Sequence, residues 1–258
     1  MSDRIQEKFH NLIPGFHAVR EALIHGKTRI KEIWVAEGKK PARTREILEI
    51  AKEKDIPVLI KKNADLTHLL PDISHQGIAA LVGEFAYVDL DRLANIDPQQ
   101  RAILIALDHI TDEGNLGAII RTAVFFGAHG LILPKDRSAA MTAKVLKRAS
   151  GVYVHLSIAR VVNMGMALSH LKKKGFWIIG ASGESQSTIY EFDWDRDVVV
   201  VVGNEQRGLS QSVRKQCDQV VGIPVTGHAE SLNVAVASGV ILSEIVRQRN
   251  WSALRKSP

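Results

Sequence analysis

The second half of the chain carries runs of consecutive apolar residues without alternation of apolar and polar positions. A parallel strand covered on both faces has this pattern, because both of its sides are buried. Stretches with helical spacing separate the runs, so we expect an α/β fold whose sheet is mostly parallel. The predicted strands are 102–107, 130–133, 176–181 and 198–202, and the predicted helices are 116–126, 142–148, 164–174, 210–216 and 233–249.

The first part of the chain predicts a separate, smaller α/β unit. Apolar spacing at Phe16, Val19 and Leu23 indicates a helix, and the pattern at 47–51 indicates a second one. Short strands are predicted at 33–36, 58–60 and 78–82, before a polar, irregular stretch. The expected organisation is a small domain at 1–84, a linker with one short helix at 85–100, a large domain at 101–250 and a loosely held tail at 251–258.

The composition fits an ordinary soluble globular protein, with 45% hydrophobic and 24% charged residues among 258. The formal net charge is +6, and part of the basic charge is concentrated in one stretch. Such a stretch attracts polyanions such as nucleic acid, although a solvated lysine-rich surface explains it equally well. The residues concerned are Lys27, Arg29, Lys31, Lys39, Lys40, Arg43 and Arg45.

Several common kinds of site are excluded by motif. Leu107 is not followed by the glycine-rich fingerprint of a dinucleotide fold, and Glu21 occupies the glycine position that a phosphate-binding loop at Gly26 would need. The histidines form no H-E-x-x-H pair, and no serine lies in a G-x-S-x-G elbow. We therefore expect no metal site. Cys217 is the only cysteine, which excludes an intrachain disulfide and fits a cytoplasmic location.

Three polar segments follow predicted strands, where open α/β sheets bind their ligands. They are Asn115 to Arg121, Gly203 to Glu205 and Ser231 to Asn233. Each segment alone also has a structural explanation, because Asp112 or Asn115, Ser210 and Ser231 can cap the helices that follow. Arg121 lies among apolar neighbours, where a guanidinium needs a partner, and it is suited to hold a phosphate or carboxylate with two hydrogen bonds.

In order and spacing, the stretches Asn115 to Ala123, Gly203 to Glu205 and Ser231 to Ala235 resemble the three motifs of the SpoU/TrmH class of RNA ribose 2′-O-methyltransferases. The resemblance spans Ala102 to Arg249. Two more segments, His75 to Ile78 and Pro134 to Ala139, are similar to the branch that methylates a guanosine of large-subunit (23S) ribosomal RNA. A transfer RNA substrate within the same class, or a non-catalytic RNA-binding ribosome assembly factor, remain as alternatives.

The resemblance implies a fold, a cofactor and partners. The large domain would be a SPOUT methyltransferase domain with a deep trefoil knot, and the small domain would bind RNA. S-adenosyl-L-methionine would be the methyl donor, and the protein would act as a homodimer. The cofactor would contact a set of residues in the knotted loops, largely through their backbone groups: Gly203, Asn204, Ile223, Val225, Leu232 and Ala235.

The resemblance also implies catalytic roles. Arg121 would lie next to the ribose 2′-hydroxyl and the RNA phosphate, with Asn115 orienting it. An arginine side chain stays protonated, so we favour it as a positioner and charge stabiliser, with a phosphate or water assisting proton removal; a direct role as base stays open. Glu205, Ser231 and Asn233 would form the other wall of the site. After the acidic Glu205, where many relatives carry a small or glycine residue, this chain has Gln206 and Arg207, and Arg207 would add a cation near the RNA.

Overall fold

A computed structural model describes residues 12–25, 29–38, 42–97, 100–228 and 231–255. The chain forms two compact units, each built from two stretches of sequence. The first unit comprises Met1–Ala86 and Ala140–His155, and the second comprises Tyr87–Ala139 and Leu156–Pro258.

The described elements alternate between strands and helices through most of the chain. In order they are β1 (Leu12–Pro14), α1 (Phe16–His25), β2 (Ile30–Ala36), α2 (Ala42–Glu53), β3 (Val58–Lys61), α3 (Asn63–Leu69), β4 (Ile78–Val82), α4 (Leu90–Ala94), β5 (Ile103–Asp108), α5 (Glu113–Phe125), β6 (Gly130–Pro134), α6 (Ala143–Arg148), a 3₁₀ turn (Val152–His155), β7 (Ser157–Val161), α7 (Met164–Lys173), β8 (Trp177–Ala181), β9 (Val198–Gly203), α8 (Gln211–Arg214), β10 (Gln219–Val221) and α9 (Val234–Arg255).

The first unit contains a mixed four-stranded sheet in the order β1-β4-β2-β3. β2 pairs in parallel with β3, and the other two pairings are antiparallel. Its core joins Leu12, Trp34 and Leu66, all of which are buried. β3 is less protected, since Ile60 is 61% exposed. The expected small α/β domain is therefore present, with a sheet that is only partly covered.

A segment between β6 and β7 packs within the first unit, although the sequence pattern assigned it to the large domain. Its helix α6 begins after Thr142, whose side chain accepts a hydrogen bond from the Val145 amide (3.4 Å). Ala143 belongs to the same core as Leu12. Gly151 has a φ of +84°, and a Cβ there would lie 2.7 Å from the Cα of Ala18. Only glycine allows this close approach to α1.

The second unit contains a six-stranded sheet in the order β10-β8-β9-β5-β6-β7, in which every pairing is parallel. The central strands are buried along almost their whole length, as their uninterrupted apolar sequences predict. Burying one valine or leucine side chain contributes roughly 1.5–3 kcal/mol. The predicted α/β class with a mostly parallel sheet is confirmed, whereas the trefoil knot stays a prediction.

Part of the expected linker belongs to the second unit. The Val88 amide donates to the carbonyl of Ile158 (2.9 Å), and Leu90, Ala94 and Ile96 pack against the core of this unit. The short helix expected in the linker is α4. At the other end, α9 continues to Arg255, so the beginning of the expected tail is helical. Among the described residues, no helix is both long and apolar enough to span a bilayer.

Candidate active site

The first two polar segments follow the carboxyl ends of β5 and β9, two neighbouring strands of the sheet. Asp108, the last residue of β5, is paired with Gly203, the last residue of β9. α5 begins a few residues after Asp108, and Glu205 follows Gly203 by two positions. The first and second polar segments therefore start side by side, as expected for neighbouring parallel strands.

Three predicted site residues form one hydrogen-bonded group, which we name the amide–carboxylate cluster: Asn115, Glu205 and Asn233. The Asn233 amide donates to Glu205 Oε1 (2.8 Å) and to Asn115 Oδ1 (2.9 Å). The Asn115 amide also donates to Glu205 Oε1 (3.2 Å). All three predicted segments thus meet through side chains separated by up to 118 positions. Glu205 receives these donors because an ionised carboxylate only accepts hydrogen bonds.

Asn233 has a second role as the cap of α9. Its Oδ1 accepts from the backbone amides of Ala235 (3.0 Å) and Val236 (3.4 Å). The expectation that Ser231 caps this helix is wrong, because α9 begins at Val234 and Asn233 directly precedes it. The Val234 amide donates to Glu205 Oε1 (3.1 Å). The start of α9 is therefore attached to the cluster by both side-chain and backbone bonds.

α5 is capped by Asp112, one of the two residues that the sequence offered for this role. Its carboxylate accepts from the backbone amide of Asn115 (2.7 Å). This bond satisfies a free amide of the first helical turn and fixes the backbone of Asn115. The Asn115 side chain remains available to the amide–carboxylate cluster.

Asn204 shapes the turn that presents Glu205. Its Oδ1 accepts from the amides of Gln206 (2.9 Å) and Arg207 (3.3 Å), and its carbonyl accepts from the Gly208 amide (2.8 Å). A Cβ on Gly203 would overlap the Gly208 carbonyl and lie 2.6 Å from the backbone nitrogen of Leu209. The two glycines therefore allow the backbone to turn back tightly on the strand end.

A buried acid beneath this turn was missed by sequence reasoning. Asp108 is 1% exposed, and its carboxylate accepts from the Ser210 amide (2.6 Å) and from His109 Nδ1 (2.6 Å). His109 has a φ of +61°, and its carbonyl accepts from the Asn204 side chain (3.2 Å). Asp108 thus joins the loops after β5 and β9. The available signal was an acidic residue directly after a run of apolar ones.

The remaining predicted catalytic residues are Arg121 and Ser231, and both are exposed. Arg121 is exposed on the third turn of α5, about 9 Å along the helix axis from Asn115 at 1.5 Å per residue. This differs from the sequence analysis, which placed the Arg121 side chain among apolar neighbours. Ser231 is exposed before α9, and Arg207 is exposed in the turn after β9.

The predicted cofactor-binding residues lie in the turn after β9 and around the segment between β10 and α9. Gly203, Asn204, Ile223 and Ala235 are half-buried. The apolar side chains of Val225 and Leu232 are 58% and 45% exposed. Exposed apolar groups of this size are suited to contact a flat aromatic ligand such as adenine.

The predicted RNA-binding residues are only partly within the described residues. Arg29, Lys31 and Arg45 are exposed in the first unit. Arg29 and Lys31 line a cleft of about 720 Å³ together with Lys54. Outside the described residues lie Lys27, Lys39 and Lys40, and the side chain of Arg43.

The segments His75 to Ile78 and Pro134 to Ala139, from which the guanosine-methylating branch was predicted, form hydrogen bonds that stabilise turns. In the first unit, His75 Nδ1 accepts from the Gly77 amide (3.1 Å), and Gln76 Oε1 accepts from the Phe16 amide (3.3 Å). In the second unit, the Ala139 amide donates to the carbonyl of Ile110 (2.8 Å). These hydrogen bonds stabilise the local fold of the two segments.

Comparison with known proteins identifies the family. Residues 102–243 match the SpoU rRNA Methylase family, and residues 12–88 match the RNA 2′-O ribose methyltransferase substrate-binding domain. The chain belongs to the SpoU family of RNA methyltransferases.

Two of the similar proteins cover nearly the whole chain, and a third covers about two thirds of it. A protein of Staphylococcus haemolyticus named as a TrmH family tRNA/rRNA methyltransferase is 35% identical over 93% of this chain and 96% of its own length. The SpoU methyltransferase AviRb of Streptomyces viridochromogenes, solved with AdoMet, matches with a TM-score of 0.81 and 26% identity, over 96% of this chain and 98% of AviRb. A TrmH/SpoU tRNA-modifying enzyme of A. aeolicus is 31% identical over 64% of this chain and 84% of its own, with a TM-score of 0.54.

Proposed function

We propose that this protein transfers a methyl group from S-adenosyl-L-methionine to a ribose 2′-hydroxyl of RNA. The observation that carries the proposal is the amide–carboxylate cluster, in which Asn115, Glu205 and Asn233 meet at the carboxyl end of the sheet. These residues come from three motifs that are far apart in the sequence. The family gives the reaction class, and the cluster supports an intact site for it.

The residues around the β9 turn fit the cofactor. When bound, S-adenosyl-L-methionine supplies a methyl group attached to a positively charged sulfur. The apolar side chains of Val225 and Leu232 would contact its adenine, and the tight turn at Gly203 would bring backbone groups close to the ligand. The AdoMet complex of AviRb supports this assignment by analogy of fold.

On the substrate side, Arg121 would hold the RNA phosphate and position the 2′-hydroxyl for in-line transfer. Correct placement of the reacting atoms supplies a large part of catalysis in such reactions. A protonated guanidinium also stabilises the negative charge that develops on the hydroxyl oxygen. Proton removal would be assisted by a phosphate or water. Asn115, Glu205, Ser231 and Asn233 would form the surrounding wall.

The first unit would supply RNA affinity. Arg29, Lys31 and Lys54 line one cleft, where they can contact phosphates without reading sequence. Arg45 of the first unit and Arg207 of the second unit are further exposed cations suited to the same task. We propose a guanosine of 23S ribosomal RNA as the substrate, on the similarity of the segments beginning at His75 and Pro134 to that branch. Transfer RNA is the second candidate, because one similar solved enzyme modifies tRNA.

We also propose that the protein acts as a homodimer in the cytoplasm. Phe125 at the end of α5 is 80% exposed, and Val236 at the start of α9 is 53% exposed. Contiguous exposed apolar patches often mark protein interfaces, and these two residues are our candidates for part of such a patch. Light scattering of the purified protein tests the dimer, and a monomer at micromolar concentration would contradict it.

The reaction is tested by transfer of labelled methyl from S-adenosyl-L-methionine to unmodified ribosomal RNA. Arg121→Ala should lower kcat by about 100-fold or more, as for loss of a charge-stabilising donor. Arg121→Lys should recover only part of the activity, since lysine cannot make the paired hydrogen bonds. Arg92→Ala removes another exposed arginine of the second unit and is the matched control. Full activity of Arg121→Ala with unchanged folding would contradict the mechanism.

The substrate is tested by mapping ribose methylation in cells with and without the protein. Loss of one methylated guanosine in 23S ribosomal RNA is the expected result. Loss of a methylated nucleotide in tRNA would establish the second candidate. If no methylation changes and calorimetry detects no binding of S-adenosyl-L-methionine, the protein is an RNA-binding assembly factor and the enzymatic proposal fails.

A further inference from the structure

We propose that the first unit contains a binding site for a divalent transition-metal ion, with zinc as the preferred probe. The ligands are the side chains of Glu21, His25 and His155, named here the imidazole–carboxylate triad. One ligand atom from each residue lies within 4.8 Å of the other two. The site is separate from the residues assigned to methyl transfer, and its test needs neither RNA nor cofactor.

Two of the three distances within the triad match those between the ligands of one tetrahedral ion. His25 Nε2 and His155 Nε2 each lie 3.3 Å from the same oxygen, Glu21 Oε2. Bonds of about 2.0–2.1 Å to a tetrahedral zinc ion place neighbouring ligand atoms about 3.3–3.4 Å apart. The Glu21 oxygen therefore already lies at a suitable distance from each histidine, and the third distance is within 4.8 Å. Two histidines and one carboxylate are also an established ligand set for zinc that leaves one position open.

Two structural features bring the triad together. Glu21 and His25 are four residues apart on α1, so their side chains project from the same face of the helix. His155 comes from the 3₁₀ turn more than a hundred residues later. The close contact at Gly151 holds this turn against α1. The rings of His25 and His155 then meet edge to face, with centroids 4.2 Å apart.

The other contacts of Glu21 are compatible with binding. Arg20 Nη1 lies 3.4 Å from Oε1, the oxygen that the histidines do not contact, and Arg20 Nε bonds to Glu46 (2.6 Å). Without an ion, the imidazole of His155 can form a hydrogen bond with Oε2 through Nε2, which accounts for its 3.3 Å distance. Binding requires the proton of each histidine ring to be on Nδ1 instead, which is the other neutral form of the ring. The side chains of His25 and His155 are 38% and 41% exposed, so an ion can enter.

Cys217 is a poor competitor for the metal. It is half-buried in the second unit, and desolvation raises the pKa of its thiol to about 11. The thiolate is the form that binds metal, so this group binds weakly at neutral pH. Zinc binding near neutral pH should therefore report on histidine and carboxylate ligands.

Zinc titration of the full chain, without an affinity tag, tests the site by calorimetry. One equivalent is expected to bind, and thermal unfolding should shift upward with zinc because the ion binds only the assembled triad. His155→Ala should weaken binding by more than about 100-fold, beyond the 10–100-fold typical for loss of a supporting group. His25→Ala should act similarly. Cobalt(II) should give the visible absorption of a tetrahedral complex in the unmodified protein only.

The matched control is His170→Ala. His170 also pairs with a carboxylate, Asp91, at 2.7 Å, but among the described residues no third metal-ligating side chain joins this exposed pair in the second unit. Its removal should leave zinc affinity unchanged. If His155→Ala binds zinc as well as the unmodified chain does, or if the unmodified chain binds no zinc at micromolar concentration, the triad is only a set of polar contacts and the proposal is overturned.

Discussion

The two units use polar residues in different ways. In the second unit, Asn115 and Glu205 follow buried parallel strands, and several hydrogen bonds fix their positions. In the first unit, Arg29 and Lys31 lie exposed at the start of β2 and line an open cleft. Group transfer requires reacting atoms in fixed positions, whereas phosphate binding requires mainly positive charge. The comparison indicates that one unit is built for precise placement and the other for electrostatic attraction.

Gly203→Ala should have the largest effect on stability. The added Cβ would overlap the backbone of Gly208, which cannot move without distorting the turn that presents Glu205. We expect a loss of about 3 kcal/mol in the free energy of unfolding. The matched change in the first unit, Gly38→Ala, meets no atom within 4 Å and should cost only about 1 kcal/mol for its φ of +73°. Urea unfolding measures both free energies. Equal losses in the two variants would contradict a tighter backbone turn at Gly203 than at Gly38.

The reactivity of Cys217 tests how closely the second unit is packed. A Cβ on the neighbouring Gly180 would lie 2.9 Å from its sulfur, so the thiol has little free space. Because burial raises its pKa from 9.0 to about 11, the reactive thiolate should be about 100-fold scarcer below pH 9 than for an ordinary cysteine. Alkylation should therefore be slow and should accelerate with pH up to about 11. A plateau near pH 9 would show that the thiol is solvated.

Glu205→Ala should destabilise α9 as well as the site. The change leaves the Asn233 amide and the Val234 backbone amide without their carboxylate acceptor. Roughly 2 kcal/mol is expected, within the range for hydrogen bonds to a charged group. Hydrogen exchange at the start of α9 measures the effect. Glu184→Ala is the control, since the Glu184 side chain is 85% exposed and lies 3.9 Å from Arg214. A similar effect of this control on hydrogen exchange would contradict a specific contribution of Glu205 to α9.

The combined change Arg29→Ala and Lys31→Ala should have the smallest effect. Loss of two phosphate contacts should weaken RNA binding by roughly tenfold and reduce the slope of log K against log salt by about 1.4. Lys173→Ala with Lys174→Ala removes the same charge from the second unit. An equal loss of affinity in that control would mean that net charge, and not the cleft of the first unit, determines binding. Filter binding at several salt concentrations distinguishes the two.

The sequence predicted the second unit well because its strands are buried on both faces. The limits of β6, α7 and β9 differ by at most one residue from those expected. Missed strands were short or contained polar residues: β10 has only three residues, and β7 includes Arg160. The Arg160 guanidinium lies 5.5 Å from the centroid of the Tyr87 ring and is not in the core, so hydrophobic pattern could not reveal its strand.

The candidate site was predictable in location but not in detail. Asn115 and Glu205 could be placed together because parallel strands share an edge. The capping role of Asn233 could not be predicted, because it depends on the residue at which α9 begins. The packing of 140–155 in the first unit was equally hidden, because a tertiary contact such as that of Gly151 with Ala18 leaves no periodic pattern. For the same reason, no motif search joins His155 to Glu21.

The attachment of α9 to Glu205 has a consequence for protein synthesis. A ribosome makes Asn115 and Glu205 before it reaches Asn233 and Val234, at about 5–20 residues per second. Until those later residues emerge, the carboxylate lacks two of its donors. A growing chain can therefore complete the segments of the first unit, including 140–155, while its amide–carboxylate cluster is still unfinished. The segments of the first unit are therefore expected to be able to contact RNA before the amide–carboxylate cluster is complete on the nascent chain.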